Sequence, residues 1–182
     1  MKSAELYRHL RSSLAEWFRA HGFKRAPRAQ LGWHADGVFI WFQCDKWGWD
    51  QYAGSSFFVN FQVGGSAEPW NAPTERLQHF LTEPELEVMR TLQNDVIRKL
   101  RLPPPEYIAA FRAAASKASD PEGLVDGLLI PFRPVEEPFR SNQDVSLRYF
   151  DGDDVQRWAS FLIGVLPSIV DRLRRPANGA RS

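Results

Sequence analysis

Hydrophobic positions near the start of the chain recur at steps of three and four residues. This is the period of one helix face, so residues 4–21 are predicted to form an amphipathic helix. Ser3 is a suitable N-cap, and Gly22 stands where a left-handed residue often ends a helix. The apolar stripe consists of Leu6, Leu10, Leu14, Trp17, Phe18 and His21.

Between Phe23 and Gly65 the period changes to two, as in β-strands. The segments QLGWH and VFIWFQC flank Asp36-Gly37, a pair that predicts a two-residue hairpin because both turn positions need positive φ. VFIWFQC is apolar on both faces, which indicates a central strand covered at least in part on both sides. SSFFVNFQVGG is predicted to be a further strand, and the short connections favour an antiparallel meander.

After the double glycine at 64 and 65 the chain is predicted to be mainly helical. TERLQHFL is predicted to be a short helix, and Thr82 to cap a longer one that starts at about Pro84. The prolines at 103–105 end this helix and start the alanine-rich helix EYIAAFRAAASKAS, which DPEG closes. The prolines within 124–143 favour an irregular or edge segment. DVSLRYF is predicted to be the last strand, followed by a long helix in which Asp151 and Asp154 have capping-box spacing.

Together these elements predict an α+β fold. The N-terminal helix packs on an antiparallel meander sheet of about four to five strands, with further helices in the middle and a long C-terminal helix. Residues 1–175 are predicted to form a single domain, whose sheet core spans about 23–65 plus 144–150 and whose helical insert spans about 74–119. Residues 176–182 are predicted to be a flexible tail.

The composition adds an aromatic bias and an uneven charge. With 7 Trp and 13 Phe in 182 residues, the chain is predicted to have an aromatic-rich core, although the same residues favour interfaces. The net charge is only +1, yet arginines and lysines crowd both ends of the sequence. We expect solvated charged faces there; a single basic face that binds nucleic acid is the less favoured alternative. No apolar stretch approaches the length of a membrane span, so no membrane association is expected.

Motifs with a known chemistry are missing from the sequence. We find no phosphate-binding loop, dinucleotide fingerprint, HExxH motif or nucleophile elbow, so no cofactor is predicted. His34 and Asp36 flank a turn without a third ligand at fixed spacing, and no metal site is predicted. The one cysteine, Cys44, excludes an internal disulfide and indicates a reducing compartment, which makes the cytoplasm the expected location. Its thiol is expected to be buried at a strand end; an activated thiol is the alternative.

The loop CDKWGWDQYAG, residues 44–54, is the best candidate for a binding surface. It is longer than an ordinary hairpin loop and is rich in aromatic side chains. Its charges sum to minus one, which opposes phosphate binding and favours a protein or small-molecule partner. The candidate binding residues are Asp45, Lys46, Trp47, Trp49, Asp50 and Tyr52.

Residues 5–65 resemble a bacterial family of unknown function, the domain family numbered 4304. The resemblance rests on a helix that ends in WFRAHGFKR, a hairpin with GW and FIWFQ, the KWGW loop, and FFVNFQVG. It implies a helix packed on an antiparallel sheet, and it implies no activity, cofactor or catalytic residue. It also implies that Trp47 packs against the sheet, which leaves Trp49, with Asp50 and Tyr52, as the exposed contact. The matching positions are Gly22, Phe23, Lys24, Phe42, Gln43, Trp47, Asn60 and Gly64.

Three functions remain open at this point. The favoured one is a non-enzymatic protein-binding module, with an immunity-like role as one form of it by analogy of fold and size. The second is an enzyme whose site is assembled from scattered residues, and the third is nucleic-acid binding through the basic ends. The candidate residues for the enzyme are Asp45, Asp50, His34, Arg148 and Tyr149.

Overall fold

The chain folds into an antiparallel sheet with helices before, between and after its strands. The computed structural model describes residues 2–26, 29–45, 49–63 and 74–174. The predicted α+β class is confirmed, and the sheet of the described part has six strands. The helices are α1 (Ser3–Ala20), α2 (Glu83–Ile97), α3 (Pro105–Ala115), α4 (Pro121–Leu129) and α5 (Gly152–Arg174). The strands are β1 (Lys24–Arg25), β2 (Leu31–Ala35), β3 (Val38–Cys44), β4 (Ser55–Val63), β5 (Glu75–Arg76) and β6 (Leu147–Tyr149).

The sheet is a meander from β1 to β4 with two short strands beyond it. β4 pairs with β3 along one edge, where Ile40 lies opposite Phe61. Along its other edge β4 pairs with β5 near Asn60 and with β6 from Ser55 to Phe57. The hairpin predicted at Asp36-Gly37 is confirmed, since the two residues have φ of 48° and 77°.

Helices α1 and α5 cover one face of the sheet, which we call the inner face. Phe18 of α1 stacks on Trp33 of β2 at 4.1 Å between ring centroids. Trp158 of α5 is almost fully buried, and its indole N–H donates to the carbonyl oxygen of Arg148 at 2.7 Å. The alternation along β3 and β4 directs Val38, Ile40, Phe42, Phe57, Val59 and Phe61 into this core.

The opposite, outer face of the sheet also carries buried side chains. Phe39 and Trp41 of β3 form a separate small cluster with Ala26, as the two-sided apolar pattern of this strand predicted. Asn60 and Gln62 of β4 are buried as well. The outer face is therefore the more polar of the two.

Helix starts follow the predicted capping patterns at two places. Thr82 precedes α2, and its N–H donates to Glu85 Oε2 at 2.7 Å. Before α5, the N–H of Asp154 donates to Asp151 Oδ1 at 3.0 Å and the N–H of Asp151 donates back to Asp154 Oδ2 at 3.2 Å. At α1 the cap is Lys2, not the predicted Ser3, which is the first helical residue.

Two local predictions in the second half of the chain are wrong. TERLQHFL contains strand β5 and a 3₁₀ turn over Leu77–Phe80, because pairing with the distant β4 overrides its helical pattern. DPEG does not close α3. Asp120 begins α4 instead, with its Oδ1 accepting from the Gly123 N–H at 2.9 Å, and α4 and a 3₁₀ turn (Ile130–Phe132) occupy a region predicted to be irregular.

No helix within the described residues is both long and apolar enough to cross a membrane. The predicted tail, residues 176–182, lies outside the described residues.

Gly54, at the start of β4, offers a test of the close packing between β4 and β6. It has φ of 66°, and a Cβ there would clash with the carbonyl oxygen of Tyr149. We expect Gly54→Ala to lower the free energy of unfolding by about 2 kcal/mol or more, because it combines a strained φ with a steric clash. Urea unfolding followed by circular dichroism measures this change.

Gly164→Ala is the matched control for Gly54→Ala. Gly164 lies within α5 and has open space where a Cβ would stand, so alanine there is expected to raise stability by about 0.5–1 kcal/mol. Equal effects of the two substitutions would contradict the described packing of Gly54.

Candidate functional site

Three polar side chains lie side by side on the outer face of the sheet at its β6 edge. Ser56 of β4 is in register with Arg148 of β6. On its other side the N–H of Asp45 donates to the Ser56 carbonyl oxygen at 2.9 Å. The Ser56 hydroxyl donates to Asp45 Oδ2 at 3.2 Å. Because Leu147 and Tyr149 are buried in the core, Arg148 between them faces the outer side.

Helices α3 and α4 form a hairpin over this polar row and enclose a cleft of about 590 Å³. This volume is within the range of about 300–1,000 Å³ that is typical of ligand sites. The walls are largely aromatic and apolar, while the floor is the polar row on the sheet. The wall residues include Tyr52, Tyr107, Phe111, Leu128 and Phe132.

The loop from Trp49 to Gly54 forms one side of the cleft. Asp50 Oδ1 accepts from the N–H groups of Tyr52 at 2.7 Å and Ala53 at 2.8 Å, and Asp50 and Gly54 form an isolated β-bridge. Asp50 therefore shapes the turn, as aspartate often does. The Tyr52 ring lies 5.6 Å from the Tyr107 ring, which joins the loop to α3 across the cleft.

Trp49 lies beside this loop with 37% of its surface exposed. Its indole N–H donates to the Phe150 carbonyl oxygen at 3.1 Å, and the two rings are 5.8 Å apart. The indole is thus anchored at the junction of β6 and α5 while one side remains accessible. Lys46 and Trp47, also predicted to bind, lie outside the described residues.

Arg148 is the one cation among the described residues that line the cleft. Burial lowers the pKa of its guanidinium and the charge of Asp45 raises it. The effect of burial is the larger, so the pKa lies below its usual value. Within the described part of the chain the guanidinium makes no hydrogen bond or ion pair. A desolvated cation without hydrogen-bond partners is unfavourable, so its N–H groups favour an anionic ligand.

Three of the five residues proposed for an enzyme site line the cleft, namely Asp45, Asp50 and Arg148. Tyr149 faces the core with 1% exposure, and burial raises its pKa to about 12. His34 of β2 is in register with Phe39, which is six residues before Asp45 and near the other end of β3. His34 is therefore remote from the cleft. The described residues that line the cleft include no histidine.

Cys44 belongs to the inner face and not to the cleft. Its N–H donates to the hydroxyl oxygen of Tyr7 at 3.1 Å, and its side chain packs against the main core. Burial raises the pKa of the thiol, so Cys44 is a poor nucleophile near neutral pH. Among the described ranges, no group of three or more His, Cys, Asp and Glu side chains is placed to hold a metal ion.

The aromatic wall contributed by α3 and the turn after α4 was not among the predicted site residues. A signal for it exists in EYIAAFRAAA, where Tyr107 and Phe111 are four residues apart and share one helix face in an otherwise alanine-rich segment. Phe132 has no such signal, because the 3₁₀ turn that positions it follows a helix that was not predicted.

Comparisons with protein-family models, with curated proteins and with solved structures give no match. The resemblance of residues 5–65 to the family numbered 4304 therefore stays a prediction.

The Cys44 environment leads to a prediction about thiol reactivity. In the folded protein we expect Cys44 to react with Ellman's reagent at pH 8 at least about tenfold more slowly than in guanidinium chloride, because burial disfavours the thiolate. The chain has one cysteine, so the absorbance change reports this thiol alone. A folded protein that reacts as fast as the unfolded chain would contradict the described environment.

Proposed function

We propose that this protein is a non-enzymatic binding module, and that a segment of a partner protein docks into the cleft. The observation that carries the proposal is the exposure of α3. None of its eleven residues is buried, although Tyr107, Ile108 and Phe111 are among them. A helix with an apolar side that its own chain leaves open is typical of a surface that a partner covers.

The exposed hydrophobic side chains support a partner larger than a small molecule. Within the described residues, eight large hydrophobic side chains are exposed; one of them, Tyr107, lines the cleft, and four more lie close to cleft residues in the sequence, in the loop, in α4 or next to α3 and α4. Exposed aromatic and aliphatic groups close to a pocket are typical of protein-binding surfaces. These five are Trp49, Leu102, Tyr107, Leu124 and Ile130.

The polar floor suggests what the partner segment carries. The Arg148 guanidinium can hold a carboxylate through two parallel hydrogen bonds. The rings of Tyr52 and Tyr107, which approach each other across the cleft, offer apolar surface within it. A segment with an acidic side chain, or a C-terminal carboxylate, next to a hydrophobic residue fits both features.

Binding is favoured over catalysis by the roles of the cleft's titratable groups. Asp50 is engaged in its own turn, Asp45 accepts from Ser56, and Cys44 lies on the other face of the sheet. The Ser56 hydroxyl lies next to the Asp45 carboxylate, but the described residues that line the cleft include no histidine to act as a base between a serine and a carboxylate, as in a catalytic triad. The immunity-like role and the cytoplasmic location stay predictions.

Site-specific photo-crosslinking in the native host tests the proposal. Replacing Tyr107 or Phe132, which both line the cleft, with p-benzoylphenylalanine should give one shared crosslinked protein. The same photoreactive residue at Ile163, an exposed position on α5, should not. Equal crosslinking from Ile163, or a small organic molecule retained in the cleft in native mass spectrometry, would contradict a protein occupant.

Once the partner is known, its affinity for two variants can be measured by calorimetry. We expect Tyr107→Ala and Arg148→Gln each to weaken binding by about 1–3 kcal/mol, as for central interface residues. Because Tyr107 is 42% exposed, its loss should leave the melting temperature nearly unchanged. Ile163→Ala is the matched control, and an unchanged affinity of both cleft variants would refute the proposed site.

A further inference from the structure

A second concave surface, which we call the arginine groove, lies between α1 and the β1 edge of the sheet. It has a volume of about 410 Å³. Three of the six residues that line the arginine groove are arginines, and it is distinct from the cleft, which lies at the β6 edge. The lining residues are Arg11, Ala15, Arg19, Phe23, Arg25 and Trp33.

Helical spacing places the first two arginines on one wall of the groove. Arg11, Ala15 and Arg19 follow one another at steps of four residues along α1 and therefore share a face. Ala15, between the two arginines, is small and leaves room above the floor. Phe23 and Trp33 form that floor, and both are buried in the main core.

Arg25 is held in position on the opposite wall. Its Nη1 donates to the Gly32 carbonyl oxygen at 3.1 Å and its Nη2 to that of Gln30 at 3.3 Å. Its guanidinium carbon lies 5.3 Å from the centre of the Trp33 ring. A guanidinium has five N–H groups, so three remain for a ligand after these two bonds.

No acidic side chain of the described residues lines the arginine groove. In the described part of the chain, neither the Arg11 nor the Arg19 guanidinium has an ion-pair or hydrogen-bond partner. Burial and the nearby charge of Arg11 lower the pKa of Arg25. By contrast, Arg174 close by is paired with Asp36 at 3.0 Å.

We propose that the arginine groove is a binding site for a phosphate group. Three like charges around one groove are unfavourable on their own, and an anion of more than one charge relieves the repulsion. A phosphate fits this better than a carboxylate, because it has up to two charges and offers several oxygens to the planar guanidinium forks. The phosphate can belong to a free metabolite or to a nucleic-acid backbone, since both present the same oxygens.

Calorimetric titration at low ionic strength, with acetate, inorganic pyrophosphate and an oligothymidylate of twelve nucleotides as separate probes, tests the site. We expect saturable binding of pyrophosphate or of the oligonucleotide, with a Kd below about 1 mM, and much weaker binding of acetate. Preference for pyrophosphate identifies a free phosphate compound as the source, and preference for the oligonucleotide identifies a backbone. No saturable binding of either probe, or acetate binding as tight as theirs, overturns the proposal.

The double variant R11Q/R19Q tests whether the arginine groove is responsible. Both side chains are exposed, so the melting temperature should stay within a few degrees while the affinity falls by about tenfold or more. The matched control is R101Q/K117Q, which removes the same charge from exposed positions elsewhere. Unchanged binding in R11Q/R19Q, or an equal loss in the control, overturns the assignment.

Discussion

The pairing of β4 with β6 is the interaction on which the rest of the structure depends. It joins Ser55, Ser56 and Phe57 to Tyr149, Arg148 and Leu147, residues about ninety positions away in the sequence. The side chains of these two strands that face inward complete the core, which α5 covers. The Trp158 indole of α5 also donates a hydrogen bond to a β6 carbonyl oxygen. The outward side chain of β6 is Arg148, which the same pairing brings beside Ser56 and Asp45. One set of strand contacts thus completes the core and forms the floor of the cleft.

The two faces of the sheet are covered in different ways. The inner face is covered by α1 and α5, each of which buries a long apolar stripe. At the β6 edge, the outer face carries a polar row beneath a helical hairpin in which α3 buries no residue and α4 buries only Val125. Burial of apolar area is the main source of helix stability in proteins, so this hairpin is held less firmly than α1 or α5. We propose that the same feature makes it available to a partner.

The sequence predicted the parts of the fold that depend on local pattern. The stripe of Leu6, Leu10, Leu14 and Phe18, the Asp36-Gly37 turn and the alternation in β4 need only near neighbours to be recognised, and all three are confirmed. Strand β5 and helix α4 were missed, because the first depends on pairing with a distant strand and the second begins with a proline that suggested a break.

The candidate site was only partly predictable for the same reason. Its loop, Trp49 to Gly54, stood out by its aromatic residues and its length. Arg148 was named only as one of several scattered candidates, and Tyr107 and Phe111 were not named at all. These residues are fifty or more positions from the loop in the sequence, and only the fold brings them to the same cleft. A single sequence does not show such long-range contacts.

Backbone amide hydrogen exchange in the free protein tests the central claim, that α3 is an incomplete element which a partner covers. We expect the amides of Pro105–Ala115 to exchange roughly a hundredfold or more faster than those in the middle of α5, because little burial opposes their local opening. Binding of the partner should then slow exchange in α3 while leaving α5 unchanged. Protection of α3 equal to that of α5 in the free protein would contradict the account.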